Sequence, residues 1–579
     1  MTRRPPVLVG ALLAGSVVLT GCLSLPESGP VVEVGGDAFN DEPASLSYLP
    51  APPARGATPS SIVDGFLDAM TAIPSQMTSA RAYLTEEAQA SWEPSRETWV
   101  YTDDDEPVLR TRRLAQVTLN GNYRLDERGV FTGVKERHLL EFQLAQEDGE
   151  WRIADAPDAL IVGRQWAADN LRTVQLYYLD PTGEILIPEP VTVASGAQFV
   201  NALMTSLVSG PGPALGQVAR NYLRVDQGAD VIVDPDGIAD VSLDGGPELT
   251  AREAELASIQ LAWTLRQEES VRGIRLTADG EALTGLSRDI QLGEGAEYDP
   301  AAFSATTDVF ALRDGLLVGG DLDDLTPVQG PFGTRAYGLS DIGLSLDSTR
   351  VAGVDDSRRS VLVTETHETG APVGPVLSDA TRLLKPAWDF ADRLWLVDRT
   401  SSGARITVVV GDRRRTMVVR GVTGEQVTHF LVSRDGSRFV AVVSDRANGG
   451  GDRLMAARIR YDERGALLSA TRAQELPWPI PQETPRFLDL VWQSPTTFSV
   501  IYPAQGNVVQ VRTLSVDGAP NVVTIPSATL TGDYRWLVGS PEPGTPLLAA
   551  TPGSFTDVSR TDRSESETDI KLSTLTYTG

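Results

Sequence analysis

Residues 344–352, LSLDSTRVA, and residues 432–440, VSRDGSRFV, are two copies of one short pattern. In each copy a serine follows an apolar residue, an aspartate stands two positions later, and apolar residues end the segment, as is typical of a strand, a tight turn and a second strand. The copies are 88 residues apart, or two periods of 44. Segments that fit the same place begin at Trp388 and Val491. The sequence therefore predicts a structural repeat of about 44 residues.

The repeat lies in a β-rich region, residues 305–575, that has many Gly and Asp turns and no long amphipathic helix. About 44 residues is the length of four short strands, and radial stacking of such sheets gives a β-propeller, here with about six blades. The Ser-x-Asp-x-x-x-apolar unit is similar to the hairpin repeat of TolB-like propellers. A sialidase-type Asp box is the alternative, disfavoured because its glycine is displaced in one copy and missing in the other.

The amino end of the chain predicts export. Arg3 and Arg4 precede an apolar stretch, residues 7–20, that is shorter than the roughly 20 residues a membrane-spanning helix needs. The stretch ends in LTGC, which resembles the lipobox of bacterial lipoproteins and places its cysteine at position 22. The resemblance implies that residues 1–21 are a signal peptide and that Cys22 carries S-diacylglycerol and N-palmitoyl groups. An ordinary signal peptide beside an unrelated cysteine is the alternative.

The chemistry of Cys22 suits such an anchor. A thiolate is nucleophilic enough to accept a diacylglycerol group as a thioether. Burial of each methylene contributes about 0.8 kcal/mol, so two acyl chains hold a protein at a membrane where a single chain exchanges. We expect a lipid-anchored protein at the extracytoplasmic face of the cell membrane. Cys22 is the one cysteine in 579 residues, so no disulfide can form within the chain.

Composition limits the ligands. The formal net charge of −28 argues against nucleic acid and anionic lipid, because the mature surface would repel both. An acidic surface also keeps a protein soluble, and we favour that role for the charge. Residues 22–58 contain six prolines and show no apolar periodicity, so they cannot bury enough surface to offset their ordering entropy. This composition predicts a lipidated, Pro-rich tether.

A first domain is predicted over residues 59–165. Ser60 or Ser61 can cap a helix, because apolar residues then recur at helical spacing from position 62 to position 70. Alternating segments follow, and the turn at 147–150 leads into another strand. Helices followed by an antiparallel sheet resemble the NTF2-like α+β class. A pocket fits that class, but no residue pattern here points to a reaction.

A second α+β domain is predicted over residues 173–285, with a strand, a helix, a hairpin, a helix and a strand in that order. The starting strand VQLYYL at 174–179, the helix end LVSGP at 207–211 and the strand ADVSL at 239–243 resemble the GerMN domain of envelope and sporulation proteins. These residues are framework, so the resemblance implies the fold rather than a ligand. We interpret Asp240 and Asp244 as solvated strand ends, with a metal site as the alternative.

Patterns for catalysis are missing from the sequence. The three histidines, His138, His367 and His429, stand alone, and there is no His-x-x-x-His pair, Gly-x-Ser-x-Gly elbow or phosphate-binding glycine loop. The acidic runs at 103–106 and 321–324 lack the spacing of a calcium loop, so solvated turns are favoured over calcium sites. The arginines at 413–415 favour protection of a strand edge over a polyanion site. Distant carboxylates for glycoside hydrolysis stay an alternative.

Taken together, the lipobox, the tether, the NTF2-like domain, the GerMN-like domain and the propeller resemble the LpqB family of actinobacterial lipoproteins. The resemblance implies a non-enzymatic protein without cofactor or metal, accessory to the MtrA and MtrB two-component system. Its implied partner is the extracellular part of the MtrB sensor histidine kinase, through which it would influence cell-wall homeostasis and division. The alternatives are a cell-wall polysaccharide or peptidoglycan hydrolase or lyase with its site in the propeller, and a solute-binding lipoprotein. The last is disfavoured because residues 305–575 do not alternate strands and helices.

Overall fold

The computed structural model describes residues 48–72, 77–225, 228–245, 249–282, 289–302, 306–446, 449–480, 485–520, 528–560, 565–567 and 572–579. The predicted signal peptide, Cys22 and residues 23–47 of the predicted tether lie outside the described residues. From Tyr48 onward the chain is one compact unit, in which three modules follow one another.

The first module has three short helices followed by a sheet. Its helices are α1 (Pro59–Ala69), α2 (Thr78–Arg81) and α3 (Glu86–Ser91), with α4 (Arg164–Asn170) at its end. Its strands are β1 (Glu97–Tyr101), β2 (Asp103–Asp104), β3 (Val108–Thr111), β4 (Leu114–Asp126), β5 (Phe131–Glu147), β6 (Glu150–Asp155) and β7 (Leu160–Gly163). The sheet order is β6-β5-β4-β1-β7, with β2 and β3 also paired to β4. The pairing is antiparallel except between β1 and β7, which departs from the wholly antiparallel sheet predicted from the sequence.

Helix α1 shows how the sequence sets a helix start. Its buried face includes Phe66 and Leu67, which the helical spacing predicts. The predicted cap at Ser60 or Ser61 is wrong, because the N-cap is Thr58, whose side chain accepts the N–H of Ser61 at 3.2 Å. Proline is tolerated in the first helical turn, where its missing N–H has no partner to lose. The helix therefore begins at Pro59, before both serines.

The second module holds two small sheets and two helices. Its strands are β8 (Leu171–Leu179), β9 (Leu186–Ala194), β10 (Ala229–Val233), β11 (Ile238–Leu243), β12 (Gly273–Ala278), β13 (Glu281–Ala282) and β14 (Ile290–Gln291). Its helices are α5 (Phe199–Val208) and α6 (Ala251–Leu265), with 3-10 turns at Gly196–Gln198, Leu215–Gln217 and Ala296–Tyr298. β8 and β9 form a hairpin, and β10-β11-β12-β13 form the second sheet, with β14 also paired to β12. One apolar core joins both sheets to the helices.

Strand β9 is the longest element of this module that was not predicted from the sequence. Its sequence, LIPEPVTVA, contains Pro188 and Pro190, and two missing backbone donors argue against a strand inside a sheet. The strand forms because β8 and β9 make a sheet of two strands, in which β9 is an edge. Eight of its nine residues are nevertheless buried. Tertiary contacts therefore outweigh local propensity at β9.

Six sheets make up the third module, and its one helix among the described residues is the short α7 (Pro331–Thr334). Blade 1 is β15 (Val309–Arg313), β16 (Leu316–Asp321), β17 (Asp324–Pro327) and β39 (Leu572–Thr576), and blade 2 is β18 (Leu339–Leu344), β19 (Arg350–Asp355), β20 (Val361–Glu365) and β21 (Gly374–Leu377). Blade 3 is β22 (Ala387–Trp388), β23 (Leu394–Thr400), β24 (Gly403–Val410) and β25 (Arg413–Met417), and blade 4 is β26 (Val427–Val432), β27 (Arg438–Ser444), β28 (Asp452–Tyr461), β29 (Leu467–Ala470) and β30 (Gln474–Leu476). Blade 5 is β31 (Asp489–Ser494), β32 (Thr497–Pro503), β33 (Val508–Ser515) and β34 (Ala528–Thr531), and blade 6 is β35 (Trp536–Val538), β36 (Leu548–Ala550), β37 (Ser554–Asp557) and β38 (Glu565–Glu567).

The blades close into a ring. Six clusters of buried apolar side chains fill the six gaps between neighbouring blades. In the last gap Val538 of blade 6 packs in the same cluster as Val309 of blade 1. β39 follows blade 6 in the sequence but pairs with β15, with Leu575 opposite Ala311. The β-propeller predicted from the 44-residue repeat is thus confirmed, and its closure leaves no open gap between blades.

The repeated serine and aspartate build the same turn in two blades. The hydroxyl of Ser345 donates to the carboxylate of Asp347 at 2.6 Å, and Ser433 donates to Asp435 at the same distance. Each serine oxygen also accepts the backbone N–H of the residue five positions later, at 2.9 and 3.0 Å. These bonds close the turn between the first and second strands of blades 2 and 4. The offset of 88 residues is therefore a true structural equivalence.

The segments at Trp388 and Val491 occupy the same strand, turn and strand of blades 3 and 5. Their tryptophans also connect blades. The indole N–H of Trp388 donates to the carbonyl of Gly343 in blade 2 at 3.0 Å, and that of Trp492 donates to Val432 in blade 4 at 2.8 Å. Buried indole N–H groups need such partners.

Candidate functional site

Most residues singled out in the sequence do not form a reactive site. Cys22 lies outside the described residues, so its lipidation stays a prediction. Within the described part of the chain, no helix is long and apolar enough to cross a membrane. The same residues contain no group of three or more His, Cys, Asp or Glu side chains that could hold a metal ion.

The three histidines lie in three different places. His138 is on β5, edge-on to the Trp99 ring with 4.5 Å between ring centres, and burial and the charge of Lys135 lower its pKa. His367 follows β20, with Nε2 3.5 Å from the Ser348 hydroxyl. His429 is on β26, inside the propeller. No two of them share a site, so a paired-histidine reaction has no basis here.

Asp240 and Asp244 have structural surroundings. Asp240 lies opposite Arg275 in the register of β11 and β12, and the two side chains form an ion pair of 2.6 Å. The backbone N–H of Asp244 donates to the carbonyl of Gly228 at 3.2 Å, at the end of β11. Asp244 follows the last residue of β11 and agrees with the interpretation as a strand end. That interpretation is wrong for Asp240, which lies inside β11 and is ion-paired across the sheet. Neither residue gives support to the metal alternative.

The charged runs lie on exposed edges. Asp103 and Asp104 form the short, exposed strand β2 paired with β4, so the turn predicted at 103–106 is wrong for these two residues, although they are solvated as expected. Asp321 and Asp324 face each other across the turn between β16 and β17. The arginines at 413–415 lie on β25, the outermost strand of blade 3, and are exposed. Charges on an outer strand hinder pairing with another chain, so this position agrees with the predicted strand-edge protection, which stays a prediction. Arg415 also donates to the carbonyls of Leu467 and Leu468 in blade 4.

The centre of the propeller contains a cavity of about 610 Å³. The strand nearest the axis in each of the six blades contributes to its wall, so the cavity is the central channel of the ring. The wall is cationic, because six arginines and one lysine line it against two aspartates. The charged residues are Arg358, Arg382, Lys385, Arg399, Arg434, Arg446 and Arg486, with Asp341 and Asp489.

One end of the channel, which we call the open face, carries Arg358, Arg382, Arg399, Arg446 and Arg486. The backbone N–H of Arg399 donates to the carbonyl of Arg382 at 3.0 Å. Arg358 is paired with Asp341 at 2.5 Å and Arg446 with the buried Asp452, whereas Arg382 and Arg399 form no ion pair with any described residue. Burial and the guanidinium groups of Arg382 and Arg358 lower the pKa of Arg399. The open face therefore concentrates like charges without full neutralisation.

Deeper in the channel, three titratable side chains face one another. Lys385 is surrounded by protein yet accessible to solvent from the channel, and its ammonium donates to the Thr576 hydroxyl at 2.9 Å. Burial lowers the pKa of Lys385, although Asp489 and Asp341 act in the opposite direction. Burial also lowers the pKa of His429 and raises that of Asp489. The interior of the channel thus offers hydrogen-bond donors on Lys385 and His429 and an acceptor on Asp489.

The opposite end of the channel, which we call the docked face, is closed by Arg434. Arg434 is 3% exposed, and its guanidinium donates to Ser540 Oγ and the Thr578 carbonyl, each at 3.0 Å, and to the carbonyl of Ala301. Ala301 belongs to the segment that joins the second module to the propeller. Burial lowers the pKa of Arg434 to about 10. This arginine therefore serves as a structural plug.

The docked face also holds the second module in place. Glu189 of β9 accepts hydrogen bonds from Arg458 at 2.5 Å and from Arg438 at 3.5 Å, and all three side chains are largely buried. Arg438 also pairs with Asp435 at 3.3 Å. A strand absent from the sequence prediction thus supplies the carboxylate at the centre of this contact.

The channel does not favour the hydrolase alternative. Glycoside hydrolysis uses two carboxyl groups, one as acid and one as nucleophile or base. Of the two aspartates in the wall, Asp341 is paired with Arg358 at 2.5 Å. The carboxylate of Asp489 accepts the backbone N–H groups of Leu490 and Leu537, both at 2.9 Å. Both carboxylates are therefore engaged in contacts that hold the blades.

Sequence reasoning missed the channel arginines and the Glu189 contact. The arginines of the open face come from separate turns between positions 358 and 486, and no short motif joins them. An alignment of the repeats would place some of these arginines at the same end of their blades, and this is a sequence signal that could have revealed the open face. Glu189 lay between two prolines, where no strand was expected.

Three family models match the chain. The model for "Lipoprotein LpqB, N-terminal domain" matches residues 52–168, and that for "Lipoprotein LpqB beta-propeller domain" matches residues 315–564. A third, "Sporulation and spore germination", matches residues 175–284, the second module.

Relatives named Lipoprotein LpqB align over nearly the whole chain. The protein from Thermobifida fusca is 28% identical over 93% of each chain, and that from Streptomyces avermitilis is 27% identical over 94% of each. The protein from Nocardia farcinica is 28% identical over 92% of this chain and 91% of its own.

Among solved structures, the first GerMN domain of GerM from Bacillus subtilis is 21% identical and covers 21% of this chain and 97% of its own, with a TM-score of 0.18. A chain of a nidogen and laminin complex is 11% identical and covers 47% of this chain and 98% of its own, with a TM-score of 0.32.

The two LpqB models together match more than half of the residues. On the strength of these matches and of the full-length relatives, the chain belongs to the LpqB family of lipoproteins.

Proposed function

We propose that this protein is a non-catalytic accessory of a sensor kinase, anchored through Cys22 at the extracytoplasmic face of the cell membrane. It binds the extracellular part of an MtrB-like histidine kinase and thereby modulates two-component signalling, cell-wall homeostasis and division. The family supports the lipoprotein part of this proposal. The kinase contact is the part that experiment must test.

The observation that carries the proposal is a pair of exposed apolar side chains on the first module, the module that follows the lipobox in the sequence. Val108 and Leu139 are 49% and 48% exposed. Both lie on the sheet face away from the core, because their partners Gln116 and Thr118 alternate with the buried Val117. On this face they flank the polar Gln116 and Thr118 of β4, so they offer a partner two separate apolar contacts beside polar groups.

The strand beside this surface is also free to pair. Every residue of β3 is exposed, and among the described residues β3 is hydrogen-bonded to β4 alone. A free strand edge can accept a strand from a partner, which adds main-chain hydrogen bonds to apolar contacts. We place the kinase contact on β3 and the neighbouring face of β4 and β5.

A shared membrane makes weak contacts effective. Tethering both proteins to one membrane raises their effective concentration, so a modest affinity gives high occupancy. Modulation also requires that the protein bind one kinase state better than another, because a ligand of equal affinity shifts no equilibrium. The proposal therefore predicts a state-dependent contact.

The contact is tested by crosslinking in native membranes followed by capture of the kinase. The double variant Val108→Asp and Leu139→Asp should lose the kinase crosslink, because two charges enter an apolar contact. The control Val410→Asp and Leu468→Asp changes residues of equal exposure, 49% and 50%, on the propeller, and should keep it. Equal crosslinking by both double variants would refute the placement, and no kinase crosslink to the wild-type protein would refute the partner.

The anchor is tested separately. Cys22→Ala should release the protein from membranes and weaken its effect on the kinase without unfolding the modules. A Cys22→Ala protein that stays in the membrane fraction after a high-salt wash would show that the anchor is elsewhere.

A further inference from the structure

We propose that the open face of the propeller channel binds a small anionic ligand that carries phosphate or carboxylate groups. This site is separate from the proposed kinase contact, because it lies in the third module and shares no residue with β3, β4 or β5. Four features of the channel support such a ligand: the charge of its wall, two unpaired arginines, its volume and its single closed end.

The charge of the wall is opposite to that of the protein. The chain has a formal net charge of −28, yet seven cationic side chains and two aspartates line the channel. Like charges gathered in a concave site repel one another more strongly than on an open surface, because the surrounding protein has a low dielectric constant. An anion that enters the channel relieves this repulsion.

Two of the arginines are available for a ligand. Arg382 and Arg399 have no ion-pair partner among the described residues, and the carboxylate near them, Asp398, is already paired with Arg405 at 2.8 Å. Guanidinium groups present parallel N–H donors that match both oxygens of a carboxylate or a phosphate. The pair therefore supplies forked donors for an anion without breaking any existing ion pair.

The cavity has the volume and depth of a small-molecule site. Its volume of about 610 Å³ lies within the roughly 300 to 1,000 Å³ of such sites. Below the arginines, Lys385 uses one of its three ammonium hydrogens on Thr576 at 2.9 Å, so further donors point into the channel. Arg434 closes the docked face through its bonds to Ser540 and Thr578. The ligand therefore enters at the open face and reaches Lys385.

The proposal is tested by titration calorimetry of the full chain in a neutral detergent, with pyrophosphate and citrate as probes. At least one of them should bind saturably. Tighter binding of pyrophosphate would indicate a phosphate-bearing natural ligand, and tighter binding of citrate a carboxylate-bearing one. Both results support the site.

The double variant Arg382→Gln and Arg399→Gln should bind the probe about tenfold more weakly or worse, because it removes two charged hydrogen-bond donors. The control Arg413→Gln and Arg414→Gln makes the same change of charge on the exposed outer strand of blade 3 and should bind as the wild type does. If the Arg382→Gln and Arg399→Gln variant does not fold, Lys385→Met is measured in its place and should also weaken binding of the probe. No saturable binding of either anion to the wild-type protein, or an equal loss in test and control variants, would overturn the proposal.

Discussion

The two ends of the propeller channel use arginine in opposite ways. On the docked face, Arg434 and Arg438 are each 3% exposed and are bonded to the second module or to neighbouring blades. On the open face, Arg382 and Arg399 meet solvent and form no ion pair with the described residues. A buried guanidinium is tolerated only where bonds replace its water. Arg434 and Arg438 therefore support the fold, whereas Arg382 and Arg399 are free for a ligand.

Breaking the docked face should have the largest effect. Glu189→Gln leaves Arg438 and Arg458 without their buried carboxylate, and we expect the free energy of unfolding to fall by about 3–5 kcal/mol. Denaturant unfolding of the full chain measures this change.

The matched control joins the same two modules at the surface. Glu463→Gln removes a 2.6 Å ion pair to Arg220 in which the glutamate side chain is 76% exposed. We expect the free energy of unfolding to fall by less than about 1 kcal/mol, because exposed ion pairs are screened by solvent. A loss as large as that of Glu189→Gln would mean that the buried contact does not hold the modules.

The repeated turn gives a second contrast, of intermediate size. Asp435→Ala removes a buried acceptor and leaves Arg438 with one partner fewer. We therefore expect the free energy of unfolding to fall by about 2–3 kcal/mol. Asp347→Ala changes the equivalent, exposed position of blade 2 and should cost about 1 kcal/mol. Thermal unfolding of both variants checks the order, and a larger loss at Asp347 would contradict it.

The open face should contribute least to stability. We expect Arg382→Gln and Arg399→Gln to change the free energy of unfolding by no more than about 0.5 kcal/mol, since no ion pair is lost and like-charge repulsion falls. Denaturant unfolding in phosphate-free buffer measures it. A loss of several kcal/mol would place these arginines among the structural ones.

The parts of the fold that the sequence predicted depend on local chemistry. The turn built by Ser345 and Asp347 needs only residues within six positions, so its recurrence at Ser433 revealed the propeller. The hairpin between β10 and β11 is equally local, because a turn at Asp236 and Gly237 fixes its register.

The rest depends on contacts between distant residues. Strand β9 carries two prolines and forms because β8 and the propeller cover it. The cationic channel exists only once six blades close, since Arg358 and Arg486 lie more than a hundred positions apart. Neither their charge nor their spacing distinguishes them in the sequence from Arg434 or Arg438.

Modification of arginines by phenylglyoxal, mapped by mass spectrometry on the folded full chain, tests the contrast between the two faces directly. We predict fast modification of Arg382, which pyrophosphate or citrate slows, and protection of Arg434 and Arg438 in every condition. Equal modification of all three, or no protection of Arg382 by either anion, would contradict the account.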